Sequence, residues 1–211
     1  FSSTEVYNRW MMAAMEKGNY EEALQHAEAG LALSDDRAKK EIAFNQAVCY
    51  EYLGQYEKAL ELEPADAELY TTLGDVQERL GEVQEALQSY QKAIQIDPNY
   101  ARAYNNRGVV YLSQMETEKA LADHRKAVKL AGDRALYHVN VGIVLNRLER
   151  YSEAVTSCNK AIKLDPGYAK AYDIRADAYE GLEQTEKAER DWETYRSLTK
   201  KTEEEEDTPQ A

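Results

Sequence analysis

From Tyr104 to Tyr111 the chain reads Tyr-Asn-Asn-Arg-Gly-Val-Val-Tyr, and the reading of this stretch decides the fold. Tyr104, Gly108 and Tyr111 follow one another at steps of four and three, which places them on one face of an amphipathic helix. The opposite face carries Arg102, Asn105, Asn106 and Ser113. A small residue on the apolar face has a physical use. Two helices cross closely only where a short side chain lets their backbones approach, and a leucine there would hold the axes apart.

Outward from this helix the same features recur. Gly74, Gly108, Gly142 and Ala176 are 34 residues apart (108−74, 142−108 and 176−142 all give 34). A second small column, Ala86, Ala120, Ala154 and Ala188, keeps that step, and a third runs Ala93, Ala127 and Ala161 before it breaks at Tyr195. Tyr70, Tyr104, His138 and Tyr172 form a bulky column between them. Ile96-Asp97-Pro98-Asn99 and Leu164-Asp165-Pro166-Gly167 end one helix and start the next, with Gly132 at the intervening boundary. Each unit therefore reads as helix, tight turn, helix, breaker. The alternation of small, bulky and breaker positions at this period resembles the tetratricopeptide repeat family. The resemblance covers nearly the whole chain and implies an all-α fold, a right-handed solenoid of about six helix-turn-helix repeats.

The first helices of the six units are expected to begin near Ser3, Lys40, Ala67, Ala101, Ala135 and Ala169, and the second helices near Tyr20, Tyr56, Val83, Glu118, Tyr151 and Glu186. The first unit is degenerate, as end units of solenoids are, with Met11 where later units have Gly or Ala. From Ala23 to Ala59 the step is 36, absorbed by a longer loop through Ser34-Asp35-Asp36. From Ala59 to Ala86 it is 27, so the second repeat is shortened by seven residues between Ala59 and Pro64. Seven residues are about two helical turns, which keeps the face in phase while the helix loses about 10 Å. Either this is a natural stub, or a segment present in the molecule is absent from the sequence; an abnormal step between consecutive α carbons from Ala59 to Pro64 would mark the second case.

Composition agrees with a single elongated array of 211 residues, 43% of them hydrophobic. No stretch reaches the roughly 18–20 consecutive apolar residues of a membrane span, and no signal peptide pattern is present. Direct membrane insertion is not expected, and a soluble compartment, the cytoplasm first, is. The chain opens on Phe1, which reads as a processed or excised segment. The net charge of −13 argues against nucleic acid as a partner, since phosphate contacts need a basic surface. Five of those charges lie in Glu203-Glu204-Glu205-Glu206-Asp207. The expected division is a solenoid over residues 1–198 and an acidic, disordered tail over 199–211, a solvating segment or else an autoinhibitory strand or docking tail.

No catalytic constellation emerges, and no enzyme activity or cofactor is expected. Cys49 and Cys158 fall on inward columns without a Cys-x-x-Cys partner and read as buried thiols. His124 and His138 replace aromatics in bulky columns, and Cys158 follows His124 one unit on. Core volume explains them better than a metal site, which needs about four convergent donors.

The candidate site is the exposed face of the first helices, which in the resembled family lines a concave groove. On that face stand Asn45, Arg102, Asn105, Asn106, Val109, Asn140, Ile143, Arg147 and Lys170. Asn45, Asn106 and Asn140 share one column, and an amide that both donates and accepts can hold a peptide backbone whatever its side chains. The resemblance strengthens this reading, since some family members hold extended peptides by such an asparagine ladder. Others clamp a chaperone's C-terminal carboxylate. Here Asn140 and Lys170 match that clamp, but Val109, Asn105 and Ile174 replace the remaining asparagine, lysine and arginine, so a chaperone-tail receptor is not expected. Arg102, Arg147 and Lys170 suggest a spot for carboxylates, with Asp173, Asp177 and Glu180 reversing the sign further on. The expected function is a non-enzymatic scaffold or adaptor binding a protein or peptide segment in the groove. The alternative is a structural, self-assembling module or a regulatory repeat domain of a larger protein, and the oligomeric state is left open.

Overall fold

The computed structural model describes residues 3–34, 36–62 and 65–206. These form helices in six antiparallel pairs: α1 (Ser3–Glu16) with α2 (Tyr20–Leu31), α3 (Asp36–Tyr52) with α4 (Tyr56–Leu62), and α5 (Ala67–Leu80) with α6 (Val83–Ile96). The series continues with α7 (Ala101–Ser113) and α8 (Thr117–Leu130), α9 (Ala135–Arg147) and α10 (Tyr151–Leu164), α11 (Ala169–Gly181) and α12 (Thr185–Glu206). No strand occurs among the described residues. Most starts fall within a residue of expectation, while α3 begins at Asp36, four residues before Lys40.

The columns do what small residues at a crossing should do. Ala86, Ala93, Ala120, Ala127, Ala154 and Ala161 have no exposed surface, and Gly74, Gly108 and Gly142 are buried with them. The three glycines each receive the residue sixteen positions on. A Cβ added at Gly74 would lie 2.6 Å from the Tyr90 ring, at Gly108 2.9 Å from His124, and at Gly142 2.8 Å from Cys158 Sγ. Bulk on the second helix is thus bought by absence of bulk on the first.

Each pair turns through one left-handed residue. Gly18, Gly54 and Gly81 take that position in the first three units, and Met115, Glu149 and Glu183 in the last three. After α5, Gly81 N donates to Glu78 O and Glu82 N to Gln77 O, and after α7 Met115 N donates to Leu112 O and Glu116 N to Tyr111 O. These pairs cap carbonyls that the helix end would otherwise leave without donors.

α4 has only seven residues where α6, α8 and α10 have 14, so the shortened second repeat is a shortened helix. Glu63 and Pro64, on which the choice between a stub and an absent segment turns, lie outside the described residues. At the other end α12 runs 22 residues to Glu206 and crosses the expected boundary at 198/199. Thr199–Glu206 continues α12. Glutamate and lysine are both good helix formers. Residues 207–211 lie outside the described residues.

Candidate functional site

The odd-numbered helices form one layer. α5 packs on α7, α7 on α9 and α9 on α11, while the even-numbered helices make their main contacts with odd-numbered ones. The layer's open face is therefore built from corresponding positions of α5, α7, α9 and α11. Of the candidate residues, Asn45 lies on α3, Arg102, Asn105, Asn106 and Val109 on α7, Asn140, Ile143 and Arg147 on α9, and Lys170 on α11.

Four of these are joined by hydrogen bonds into one relay. Asn140 Nδ2 donates to Asn105 Oδ1 at 2.8 Å, and Asn105 Nδ2 donates to Asn106 Oδ1 at 3.0 Å. Asn106 Nδ2 then donates to Asp75 Oδ1 at 2.6 Å. Asp75 also accepts from the Arg102 guanidinium at 2.6 Å and from the Tyr90 hydroxyl at 2.8 Å. Burial, and then the Asp75 carboxylate, holds the Tyr90 hydroxyl above its ordinary pKa, so it remains a donor. No bond joins Asn45 to this relay among the described residues.

Two expectations are corrected by this geometry. The asparagines do not simply face solvent: Asn105 is 5% exposed, and Asn106 and Asn140 are half-buried. Asn105 is buried because it stands between the amides of Asn106 and Asn140, where α7 meets α9. Nor are Arg102 and Lys170 free for a ligand's carboxylate. Arg102 is paired with Asp75, Lys170 with Asp173 at 2.7 Å, and Arg147 donates to the Leu112 carbonyl at 3.0 Å. The hub residue Asp75 was visible on the exposed face of α5, but it stands where later units have Val109 and Ile143, and nothing local tells that its partners come from the next helix.

Beside the relay lie apolar side chains with open surface. Leu136 is 45% exposed and Val109 38%, and Ile143 is half-buried. Both cysteines are buried and free, and burial raises both thiol pKa values, that of Cys158 to about 12. His138 lies within 2.9 Å of the Gly132 carbonyl through Nε2, while neither nitrogen of His124 has a partner. Among the described residues no group of three or more His, Cys, Asp or Glu could hold a metal ion, and no helix is long and apolar enough to cross a membrane.

These features define a helical repeat array with a polar and apolar face along its odd-numbered helices. Models of the tetratricopeptide repeat match residues 9–63, 55–88, 101–133 and 135–168, and a model described as TPR repeat matches 79–115. The chain belongs to the tetratricopeptide repeat family. No curated protein matches it. Among solved structures it is similar to MamA at 20% identity and a TM-score of 0.62, covering 99% of this chain and 98% of that one. A MamA from Desulfovibrio magneticus RS-1, from residue 41 to its end, aligns at 18% identity and a TM-score of 0.60, covering 94% and 96%. YrrB, a TPR protein with an unusual peptide-binding site, aligns at 22% identity and a TM-score of 0.63, covering 74% of this chain and 84% of that one. At these identities the likeness is one of fold.

Proposed function

We propose that this chain is a non-enzymatic interaction scaffold that holds an extended segment of a partner protein along α5, α7, α9 and α11. The observation that carries the reading is the relay ending at Asn140. Its amide is oriented by a bond to Asn105, and no other bond to it is made among the described residues, so Oδ1 and the second N–H remain for a ligand. A pre-oriented amide loses little freedom when it takes a peptide group, and the neighbouring Val109 and Leu136 offer apolar surface for the side chains. Asn106 serves as the support of this amide through Asn105, since its own oxygen and one N–H are engaged. YrrB, which has a peptide-binding site on a similar fold, supports the same use of the array.

A photocrosslinking amino acid placed at Leu136, compared with one at Thr156 on α10, tests the surface. Adducts from position 136 that weaken in the Asn140→Ala protein are expected. Adducts of equal yield from position 156 would move recognition to the outer helices and sink the proposal. A second reading, self-assembly through the end of the stack, is favoured by one feature: Trp10 is 51% and Met12 45% exposed on α1. Light scattering on dilution separates the two, because only self-assembly gives a mass that falls with concentration.

A further inference from the structure

The open face has a charge profile that its relay conceals. In the columns that line it, α5 supplies Glu68, Asp75 and Glu78, beside Glu51 of α3, and α11 supplies Asp173, Asp177 and Glu180. Between these ends stand Arg102, Val109 and Leu112 on α7 and Leu136, Asn140, Ile143, Asn146 and Arg147 on α9; Arg147 donates to the Leu112 carbonyl and enters no ion pair among the described residues, so one cation remains beside the apolar centre. Pairing then decides which charges act outward. Asp75 is neutralised by Arg102 and Asp173 by Lys170, but Glu51, Glu68, Asp177 and Glu180 take part in no ion pair among the described residues. At each end burial is the largest cause of a raised carboxylate pKa, with like charge adding to it and one cation, Arg102 or Lys170, opposing it. Burial first, then Glu68 and Asp66, raises the pKa of Glu51. Burial first, then Asp173, raises that of Asp177.

We infer that the occupant of the groove is a partner segment with an apolar centre flanked on both sides by lysine or arginine. This rests on the groove reading above and assigns its chemistry. Bringing cations to Glu51 and Glu68 at one end, and to Asp177 and Glu180 at the other, relieves repulsion already built into the empty site, whereas an acidic segment would add to it. Nucleic acid is excluded by the same sign. So is the chain's own run of Glu203–Asp207. The spacing follows from packing. Neighbouring helices of a layer lie about 8–10 Å apart, so the three steps from α5 to α11 span about 24–30 Å. An extended chain rising about 3.4 Å per residue crosses that in about seven to nine residues. The two basic ends should be separated by that many positions.

The test uses the whole chain and a capped, fluorescein-labelled peptide, Lys-Lys-Ser-Leu-Ser-Val-Ser-Leu-Ser-Lys-Lys, with anisotropy as the readout. A matched peptide carries glutamate in place of every lysine. The lysine peptide should bind, and its affinity should fall by about tenfold between low and physiological salt. The Glu51→Gln/Glu68→Gln and Asp177→Asn/Glu180→Gln proteins should each bind it about fivefold more weakly. The Val109→Ser/Leu136→Ser protein should lose about tenfold through the apolar centre. All four paired substitutions named first are at unpaired carboxylates and the serines at exposed positions, so circular dichroism melts should match the parent. If the glutamate peptide binds as tightly and still loses affinity in the serine protein, the charge assignment is overturned and the groove reading stands. If the lysine peptide fails to bind, or binds the serine protein undiminished, both are overturned.

Discussion

His124 is 1% exposed, and neither of its ring nitrogens has a partner, because its place is set by the gap above Gly108. One unit earlier Tyr90 fills the gap above Gly74 and its hydroxyl reaches Asp75, but the matching position beside His124 is Val109, which cannot accept a bond. Burial lowers the imidazole pKa to about 4. The folded state therefore stays neutral between about pH 6.5 and 4 while the unfolded chain takes up a proton, so stability is full above pH 6.5 and falls as pH drops through that window. His124→Phe should remove this slope and raise stability at neutral pH by about 1 kcal/mol or more, since two desolvated nitrogens are lost with it. Thermal melts of both proteins at pH 7 and pH 5 check it, and a parallel loss in the variant would contradict it. Asn105 is the opposite case, a buried amide with both ends satisfied. Asn105→Ala should cost about 1–3 kcal/mol in urea unfolding, because the amides of Asn106 and Asn140 lose their common partner.

At the scale of the element, the left-handed turn between paired helices is glycine in three units and Met115, Glu149 and Glu183, at φ 62°, 58° and 58°, in the others. A side chain in that conformation is strained by about 1–2 kcal/mol, against about 0.5–1 kcal/mol of extra unfolded-state freedom for glycine. Each of Met115→Gly, Glu149→Gly and Glu183→Gly should stabilise by a net of about 0.5–1 kcal/mol in urea melts, and a loss on all three would show the turns to be relaxed as they stand. The helices themselves were legible because their signals are local: proline and glycine end them, and small residues at a fixed period mark where they cross. The end of α12 was not legible, because a run of glutamates is compatible with both a helix and a solvated coil, and composition does not separate the two. The open face was legible as a surface, with Asn106 and Asn140 in register. Its bonding was not, because the pairing of Arg102 with Asp75 depends on how two helices of different units dock, and no period of one helix records that.

From α5 to α12 one buried side-chain pairing recurs in every second unit. Arg107 makes a bidentate pair with Asp123 at 2.7 and 2.8 Å, and 68 positions on (175−107) Arg175 repeats it with Asp191 at 2.7 Å. Gln91 and Asn159 complete the two guanidinium sites. The unit before the first pair carries Leu73 with Ser89 and the unit between the two carries Val141 with Ser157 at the same positions, and there the serines bond Gln77 and the His138 carbonyl instead. The Arg107–Asp123 side chains are 13% and 10% exposed, so Arg107→Val or Asp123→Ser alone should cost about 3–5 kcal/mol by leaving a buried charge unpaired. The double substitution, which copies Val141 and Ser157, should recover most of that loss, and a double-mutant cycle in urea reads the coupling. This alternation also guards the folding chain. Arrays of like repeats are prone to dock a helix on the wrong neighbour, since every interface resembles the next. Here a slip by one unit would set Arg107 against Ser157 or leave Asp123 facing Val141, burying a lone charge, so misthreading is resisted by parity alone and only a slip of two whole units would go unnoticed.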